Sequence, residues 1–367
     1  MKDRLNSSLR ELMLIAGSSG HEGRVRRYLA ERLRELGIAA RTDRFGNLVA
    51  TLEGTRDAPS VMLFAHMDQV GFVVRRIEPD GFLRVERVGG IPEKVLPAAP
   101  VLICAGEGRD RIGIFGSKSN HVTPESEKYK VQPYLELFID AGFASAREVE
   151  AAGIDVGTPV VYRPQALSLG EDRVAGTSID DRAACAVILE VARGLLQSKQ
   201  KPKTHLVFSV QEEFNVRGAM VAAQTLLPDI AIQLDVALSS DTSDLAEQGH
   251  VRLGGGPAMS LYNFHGRGTL NGTIAHPALV ALFAGTAKAE SIALQRIAVV
   301  GVLTDGAYVQ FAGKGVAAID LGFPMRYAHS PCEVCDLGDL VGLTRLVLGG
   351  LARIGPGFDL DRDSFIS

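Results

Sequence analysis

Histidine and carboxylate side chains stand at the points of this sequence where buried strands would end. They come at or just after an apolar run, or directly before a helix: His66, Asp68, Asp180, Asp181, Glu212, Glu213, Asp235 and His329. Each has a structural explanation on its own, such as a helix N-cap for Asp180 and Asp181. Imidazole nitrogens and carboxylate oxygens together, however, are the ligands of zinc-like divalent ions. The set as a whole therefore predicts a site for one or two such ions.

Charge balance favours two ions over one. Two divalent cations bring four positive charges, which three carboxylates and one bridging hydroxide cancel. Two neutral imidazoles then complete the ligand shells. Such a nearly neutral site avoids the cost of burying net charge, and it leaves one carboxylate over to act as a base.

The elements that would position these side chains alternate between apolar strands and helices. We predict strands at 61–65, 205–210, 230–234 and 316–321, and helices at 181–196, 218–226, 277–291 and 339–354. This alternation predicts an α/β fold with a mainly parallel sheet sandwiched by helices. Sites in open α/β sheets lie beyond the carboxyl ends of the strands, so the predicted ligands should meet at one edge of the sheet.

The segment 70–163 has a different texture, with short β-rich runs broken by glycines and prolines. Its predicted strands include 134–138 and 159–162, and its one clear helical stretch lies near 145–152. Short strands separated by turn residues favour a small β-barrel. We therefore divide the chain into a catalytic domain, residues 1–69 and 164–367, and an inserted β-rich domain, residues 70–163.

Further local signals complete the predictions for individual elements and residues. A helix is predicted from Leu5 to Ala16, and Ser19 with Glu22 could form a capping box for a second helix. A hairpin is predicted between 40–42 and 48–52. The segments 263–265 and 271–273 are interpreted as loops, and His121 as a surface residue near the site. Cys332 and Cys335 have the spacing of a metal or redox pair, but we interpret them as small packing residues because no second pair exists.

Composition limits the classes of partner. The 367 residues are 46% hydrophobic and 22% charged, with a net charge of -4, so no overall field attracts nucleic acid or an anionic membrane. No apolar run reaches the roughly 18 residues needed to span a bilayer. The N-terminus reads as a charged amphipathic segment rather than a signal peptide, and four cysteines are too few for a disulfide framework. These features predict a soluble cytoplasmic protein.

Six segments give the sequence a specific resemblance. In chain order they are Ser18-Ser19-Gly20-His21-Glu22, His66-Met67-Asp68-Gln69-Val70-Gly71-Phe72, Asp180-Asp181-Arg182, Gln211-Glu212-Glu213, Leu234-Asp235-Val236 and Arg326-Tyr327-Ala328-His329-Ser330-Pro331. Together they resemble the dinuclear metallo-aminopeptidases of the glutamyl and deblocking aminopeptidase family, also called TET aminopeptidases, some of which carry the name endoglucanase M. The sequence departs from the family after the glutamate pair, where Phe214-Asn215 replaces the usual glycine, and around Asp241-Thr242.

The resemblance implies a role for each site residue. It makes His66 and Asp235 ligands of one metal ion, Glu213 and His329 ligands of the other, and Asp180 the bridge between them. Glu212 would be the general base, and Asp68 would orient the His66 imidazole. The cofactors implied are two divalent ions per subunit, zinc or cobalt.

The activity implied is the release of single residues from the N-terminus of short peptides. The two ions would lower the pKa of a shared bridging water, and Glu212 would take its proton. Two alternatives stay open at this point. One is a related two-metal hydrolase, namely a dipeptidase, a carboxypeptidase or an N-acyl-amino-acid deacylase. The other is a non-catalytic scaffold, which a substituted ligand position would favour; no ligand position here is substituted.

The resemblance also implies self-assembly. Members of the family form dimers that assemble into hollow tetrahedral dodecamers with their active sites inside. We expect the inserted domain to mediate this assembly and to wall the substrate entrance.

Overall fold

The computed structural model describes residues 1–198, 201–266 and 271–365. Within these residues the helices are α1 (Lys2–Met13), α2 (Gly23–Glu35), α3 (Ala146–Ala151), α4 (Ile179–Gln197), α5 (Gly218–Leu226), α6 (Pro277–Ala289), α7 (Gly306–Val309) and α8 (Leu337–Leu351). None of them is long and apolar enough to cross a membrane.

The strands of the same residues belong to one large sheet and one closed barrel. They are β1 (Ala40–Thr42), β2 (Leu48–Leu52), β3 (Val61–His66), β4 (Gly71–Ile77), β5 (Leu83–Val88), β6 (Pro100–Ile103), β7 (Arg111–Phe115), β8 (Ile139–Asp140), β9 (Pro159–Tyr162), β10 (Ala166–Leu169), β11 (Arg173–Gly176), β12 (Thr204–Ser209), β13 (Ile230–Leu238), β14 (Ala258–Phe264), β15 (Gly272–Ile274), β16 (Gln295–Val300), β17 (Ala317–Arg326) and β18 (Glu333–Asp336).

Four neighbouring parallel strands form the centre of the sheet, in the order β12-β3-β13-β17. The strands on both sides of them, β2 and β18, pair antiparallel. The predicted α/β class and the helix-covered sheet are confirmed. Among the strands of the described residues, β14 and β16 are the other parallel pair and the remaining pairs of the sheet are antiparallel, so the sheet as a whole is mixed.

Alternate residues of the central strands pack into two separate apolar clusters. In β3, Val61, Leu63 and Ala65 belong to the cluster that contains α1, α4 and α8, whereas Met62 and Phe64 belong to the cluster beneath α5. Successive side chains of a strand point to opposite faces, so a strand whose residues are all buried must be covered on both faces. The almost wholly apolar sequence of β3 thus explains why this strand lies in the sheet with both of its faces covered.

The inserted segment forms a closed barrel with strand order β4-β5-β8-β7-β6-β9, which confirms the predicted β-barrel. Its interior is mainly aliphatic and contains a small aromatic group: the Phe72 ring meets Phe115 at 5.0 Å and Tyr162 at 6.2 Å, both edge to face. One predicted strand is wrong, because residues Tyr134–Glu136 form a 3-10 turn. Pairing in that region begins later, at Ile139 in β8.

Three further expectations are corrected outside the barrel. The segments 263–265 and 271–273 contribute to the paired strands β14 and β15 and are not simple loops. The predicted ends of two central strands are too early, since β13 continues to Leu238 and β17 to Arg326. The extension of β17 is buried up to Met325, whereas in that of β13 only Asp235 and Ala237 are buried. Pairing between the two strands continues through both extensions.

The capping box predicted for α2 is also wrong. The N-cap residue of α2 is Glu22, and no side chain caps this helix. The Ser19 hydroxyl donates instead to the Asp68 carboxylate at 2.5 Å, and Glu22 accepts hydrogen bonds from the main-chain N–H groups of Gly20 and Gln211. Ser19 and Glu22 therefore bond to other groups and not to each other's main-chain N–H groups, as a capping box would require.

Candidate metal centre

The central strands bring the predicted site residues to one edge of the sheet. His66 is the last residue of β3 and pairs in register with Ser209, the last residue of the neighbouring strand β12. Glu212 and Glu213 come shortly after the end of β12. Asp235 lies in β13, on the other side of β3. His329 follows the end of β17, next to β13. Parallel neighbours thus place side chains that are far apart in sequence within a few ångströms.

Asp180 enters the site from a different direction, at the start of α4. The backbone of Asp180 and Asp181 is not helical, and the peptide bond between them is cis. Asp180 is buried, and its main-chain N–H donates to Glu333 at 3.1 Å. Its carboxylate is therefore directed at the sheet edge by α4 and β18 together.

Two groups of potential ligand atoms share the Asp180 carboxylate. In the first, one ligand atom from each of His66, Asp180 and Asp235 lies within 4.8 Å of the others; in the second, the same holds for Asp180, Glu213 and His329. The Asp180 Oδ1 atom lies 3.0 Å from His66 Nε2, and its Oδ2 atom lies 3.5 Å from His329 Nε2. One carboxylate therefore faces both groups with different oxygens.

A third group consists of His66, Glu212 and Glu213. Glu212 Oε2 lies 3.9 Å from His66 Nε2, whereas Glu213 Oε1 lies 3.4 Å from His329 Nε2. The adjacent glutamates thus turn toward different histidines.

The carboxylates of the site are buried close together, which is unfavourable for their charged forms. Burial raises the pKa of Asp235 to about 8, and repulsion from the nearby Asp180 carboxylate acts in the same direction. Burial also raises the pKa of Glu213 to about 7 and that of Glu212 well above its usual value. A cluster of buried anions is costly unless cations compensate it. The donor set of imidazole nitrogens and carboxylate oxygens fits divalent ions of the zinc type.

Asp68 holds the loop that carries the two glutamates. Its carboxylate accepts hydrogen bonds from the main-chain N–H groups of Glu212 at 3.0 Å and Glu213 at 3.1 Å, besides the one from Ser19. The His66 Nδ1 atom lies 3.1 Å from the main-chain oxygen of Asp68 and 3.6 Å from its carboxylate. Asp68 thus contacts the imidazole chiefly through its main chain, and its side chain fixes the adjacent loop.

Two buried residues of the site have no counterpart in the sequence analysis. Glu333 accepts from the main-chain N–H groups of Asp180 and His329, and the Gln233 amide donates to Asp235 at 2.8 Å. Glu333 lies inside the Cys332–Cys335 segment, where only the cysteines gave a signal. Both cysteines are free thiols; Cys332 is exposed and Cys335 is buried, so the packing role holds for Cys335 alone.

The site forms part of the floor of an open cleft of about 670 Å³. Gly89 and Gly90, which follow β5 of the barrel, line one side of it, and Gly90 accepts a hydrogen bond from His329 Nδ1 at 2.7 Å. Residues 301–304 line another side. His121 does not line this cleft; it lies exposed in a 3-10 turn of the barrel segment. The barrel therefore contributes to the wall of the site through residues 89, 90 and 92.

Comparison with known proteins assigns this arrangement to a family. The model of the M42 glutamyl aminopeptidases matches residues 46–346, most of the chain. The chain belongs to the M42 glutamyl aminopeptidase family. Among its relatives, the Escherichia coli (strain K12) protein SgcX is 38% identical over 348 residues, which cover 94% of this chain and 93% of SgcX.

Solved structures of similar peptidases share the fold over nearly the whole chain. Aminopeptidase APDkam598 from the archaeon Desulfurococcus kamchatkensis is 32% identical with a TM-score of 0.91, and the alignment covers 100% of this chain and 98% of that one. The Pyrococcus horikoshii TET1 peptidase, which can assemble into a tetrahedron or a large octahedral shell, is 26% identical with a TM-score of 0.84, covering 95% and 99%. The resemblance predicted from the six segments is thereby confirmed, and with it the membership of a peptidase family.

Proposed function

We propose that this M42 protein is a metal-dependent aminopeptidase that removes single residues from the free N-terminus of short peptides. The observation that carries the proposal is the pair of ligand groups that share Asp180 on the floor of an open cleft. The family assignment supports the same reaction class.

The proposed ligands follow the two groups. His66 and Asp235 would hold one ion, Glu213 and His329 would hold the other, and Asp180 would bind both through its separate oxygens. When bound, two divalent ions lower the pKa of a water between them and polarise the scissile carbonyl. Zinc and cobalt use the same ligand types, and we propose one of these as the resident metal.

Glu212 is the proposed general base. It is buried beside His66, and its main-chain N–H is fixed by Asp68, so its carboxylate is held near both ligand groups. In this position it would take the proton of the attacking water and pass it to the leaving amine. Asp68 would keep Glu212 and Glu213 in their separate orientations.

Removal and return of metal test the reaction class. We expect protein stripped with a chelator to lose cleavage of aminoacyl-anilides and to regain it on addition of zinc or cobalt. Circular dichroism of the stripped protein provides the control, since it separates loss of metal from loss of fold. Full activity after complete removal of metal would contradict the proposal.

The same proposal extends to the assembly. We propose that residues 70–163 form a separate domain and mediate assembly of dimers into a hollow tetrahedral dodecamer in the cytoplasm. Support comes from the closed barrel of this segment and from the shells formed by the P. horikoshii TET1 peptidase. In such a shell the clefts would receive only short or unfolded peptides. Nucleic acid is not a proposed partner, given the net charge of -4.

A further inference from the structure

The cleft is larger than the metal site requires, and several apolar side chains line the rest of it. Phe214 and Leu238 line it with 46% and 48% of their surface exposed. Val236, Val302 and Leu303 also line it and are partly exposed. A single exposed apolar side chain is ordinary on a protein surface, but several that line one cleft together are typical of a ligand surface.

Permanent charge is absent from this wall. Among residues 1–198, 201–266 and 271–365, the cleft is lined by no Lys or Arg, and its carboxylates are Asp180, Glu212, Glu213 and Asp235, which the proposed function already uses. Its polar members outside the metal groups are Asn215, His265 and Thr304. Among these described lining residues, a lysine side chain would therefore find no separate anion, and a glutamate side chain would find no permanent cation.

The wall also lies beside the reacting atoms. Phe214 follows the proposed ligand Glu213 directly in the chain, and Val236 and Leu238 follow Asp235 in β13. The residue whose carbonyl is attacked must sit at the metal groups, and the apolar side chains line the same cleft as those groups, so the side chain of that residue shares the cleft with them. We infer that this wall receives the side chain of the substrate's N-terminal residue and selects large apolar residues such as leucine and methionine.

The physical basis of this selection is unequal desolvation. A leucine side chain gains free energy when it leaves water for the apolar wall, whereas a charged side chain loses hydration with no opposite charge to replace it. We expect kcat/KM for leucyl-anilide to exceed the values for glutamyl- and lysyl-anilide by about tenfold or more.

The inference rests on the proposed function, and the three substrates distinguish failure of the inference from failure of the aminopeptidase proposal. Cleavage that favours the glutamyl or lysyl substrate overturns this inference and leaves the aminopeptidase proposal intact. A metal-loaded protein that cleaves none of the three overturns both. Preference for the leucyl substrate supports both.

Two variants test the wall itself against a matched control. Leu238→Ala and Phe214→Ala should each lower the ratio of leucyl- to alanyl-anilide kcat/KM by about fivefold, because they remove apolar contact with the larger side chain. The control is Leu169→Ala, since Leu169 is 49% exposed on β10 and does not line the cleft. It should keep the wild-type ratio. A wild-type ratio in both cleft variants would overturn the assignment of this wall.

Discussion

The Glu333 carboxylate accepts a hydrogen bond from the main-chain N–H of His329 at 2.8 Å. Its other oxygen accepts from the N–H of Asp180 at 3.1 Å. The side chain of Glu333 is buried, so it joins the backbones of two proposed ligands that come from distant parts of the chain. Partners of this kind orient the groups that bind a metal.

The first prediction is that Glu333→Gln weakens metal binding. The amide keeps one acceptor oxygen but presents an NH2 group to the second main-chain donor, so one ligand backbone loses its support. We expect metal affinity to fall by about 10- to 100-fold, measured as metal retained in competition with a chelator. Glu290→Gln is the control, because Glu290 pairs with Arg353 away from the site. Equal retention in both variants would contradict the role given to Glu333.

The second prediction separates the adjacent glutamates. Glu212→Gln keeps the size of the side chain but removes the proton acceptor, so kcat should fall by roughly 10²–10⁴ while both ions stay bound. Glu213→Gln should instead lose part of the metal and recover part of its activity when metal is added in excess. The measurement is metal content beside kcat for both variants.

The opposite pattern would show that the two roles are exchanged. In that case Glu212→Gln would lose metal, whereas Glu213→Gln would stay fully loaded and inactive.

The third prediction concerns pH and the ion pair between Arg326 and Asp241. The Arg326 guanidinium donates to both Asp241 oxygens, at 2.7 and 2.6 Å, and lowers the pKa of that carboxyl below its usual value. A carboxyl with a lowered folded-state pKa stabilises the protein above its unfolded pKa, about 3.9, and this contribution is lost as the pH falls further. We expect Asp241→Asn to lower Tm at pH 7 and the difference from wild type to shrink below about pH 4. A difference that is the same at pH 7 and pH 3 would contradict the pair's contribution.

The fourth prediction is a large particle in solution. Light scattering at micromolar concentration should give a mass several times that of a dimer if the barrel mediates assembly. Mass spectrometry provides a second measurement: a folded protein with an ordered N-terminus should stay intact, whereas its tryptic peptides should be shortened. A stable monomer with full peptidase activity, or trimming of the folded protein at a comparable rate, would contradict the closed chamber.

The sequence predicts the centre of this molecule well because the buried strands there have a recognisable local pattern of apolar residues. The run before His66 is apolar at every position, and this pattern is typical of a strand covered on both faces. Once the strands are parallel neighbours, their ends must meet, so the proximity of His66 and Asp235 follows from topology. The roles of these residues as ligands stay a prediction.

Other features could not be predicted because they depend on contacts between distant segments. Ser19 has the local spacing of a capping residue, yet its hydroxyl reaches Asp68. Glu333 looks like an ordinary acidic residue until β18 places it beneath Asp180 and His329. The strand β16 has a short apolar run at residues 297–300, but partly buried and exposed residues alternate along it at the sheet edge, and it is not among the strands predicted from the sequence.

A peptide with a free N-terminus, compared with the same peptide acetylated at its α-amine, tests the central claim most directly. Metal-loaded protein is incubated with each, and the products are followed over time by mass spectrometry. The account predicts that the free peptide loses residues one at a time from its N-terminus and that the acetylated peptide stays intact. Release of the acetyl group, loss of C-terminal residues or cleavage of dipeptides alone would contradict it.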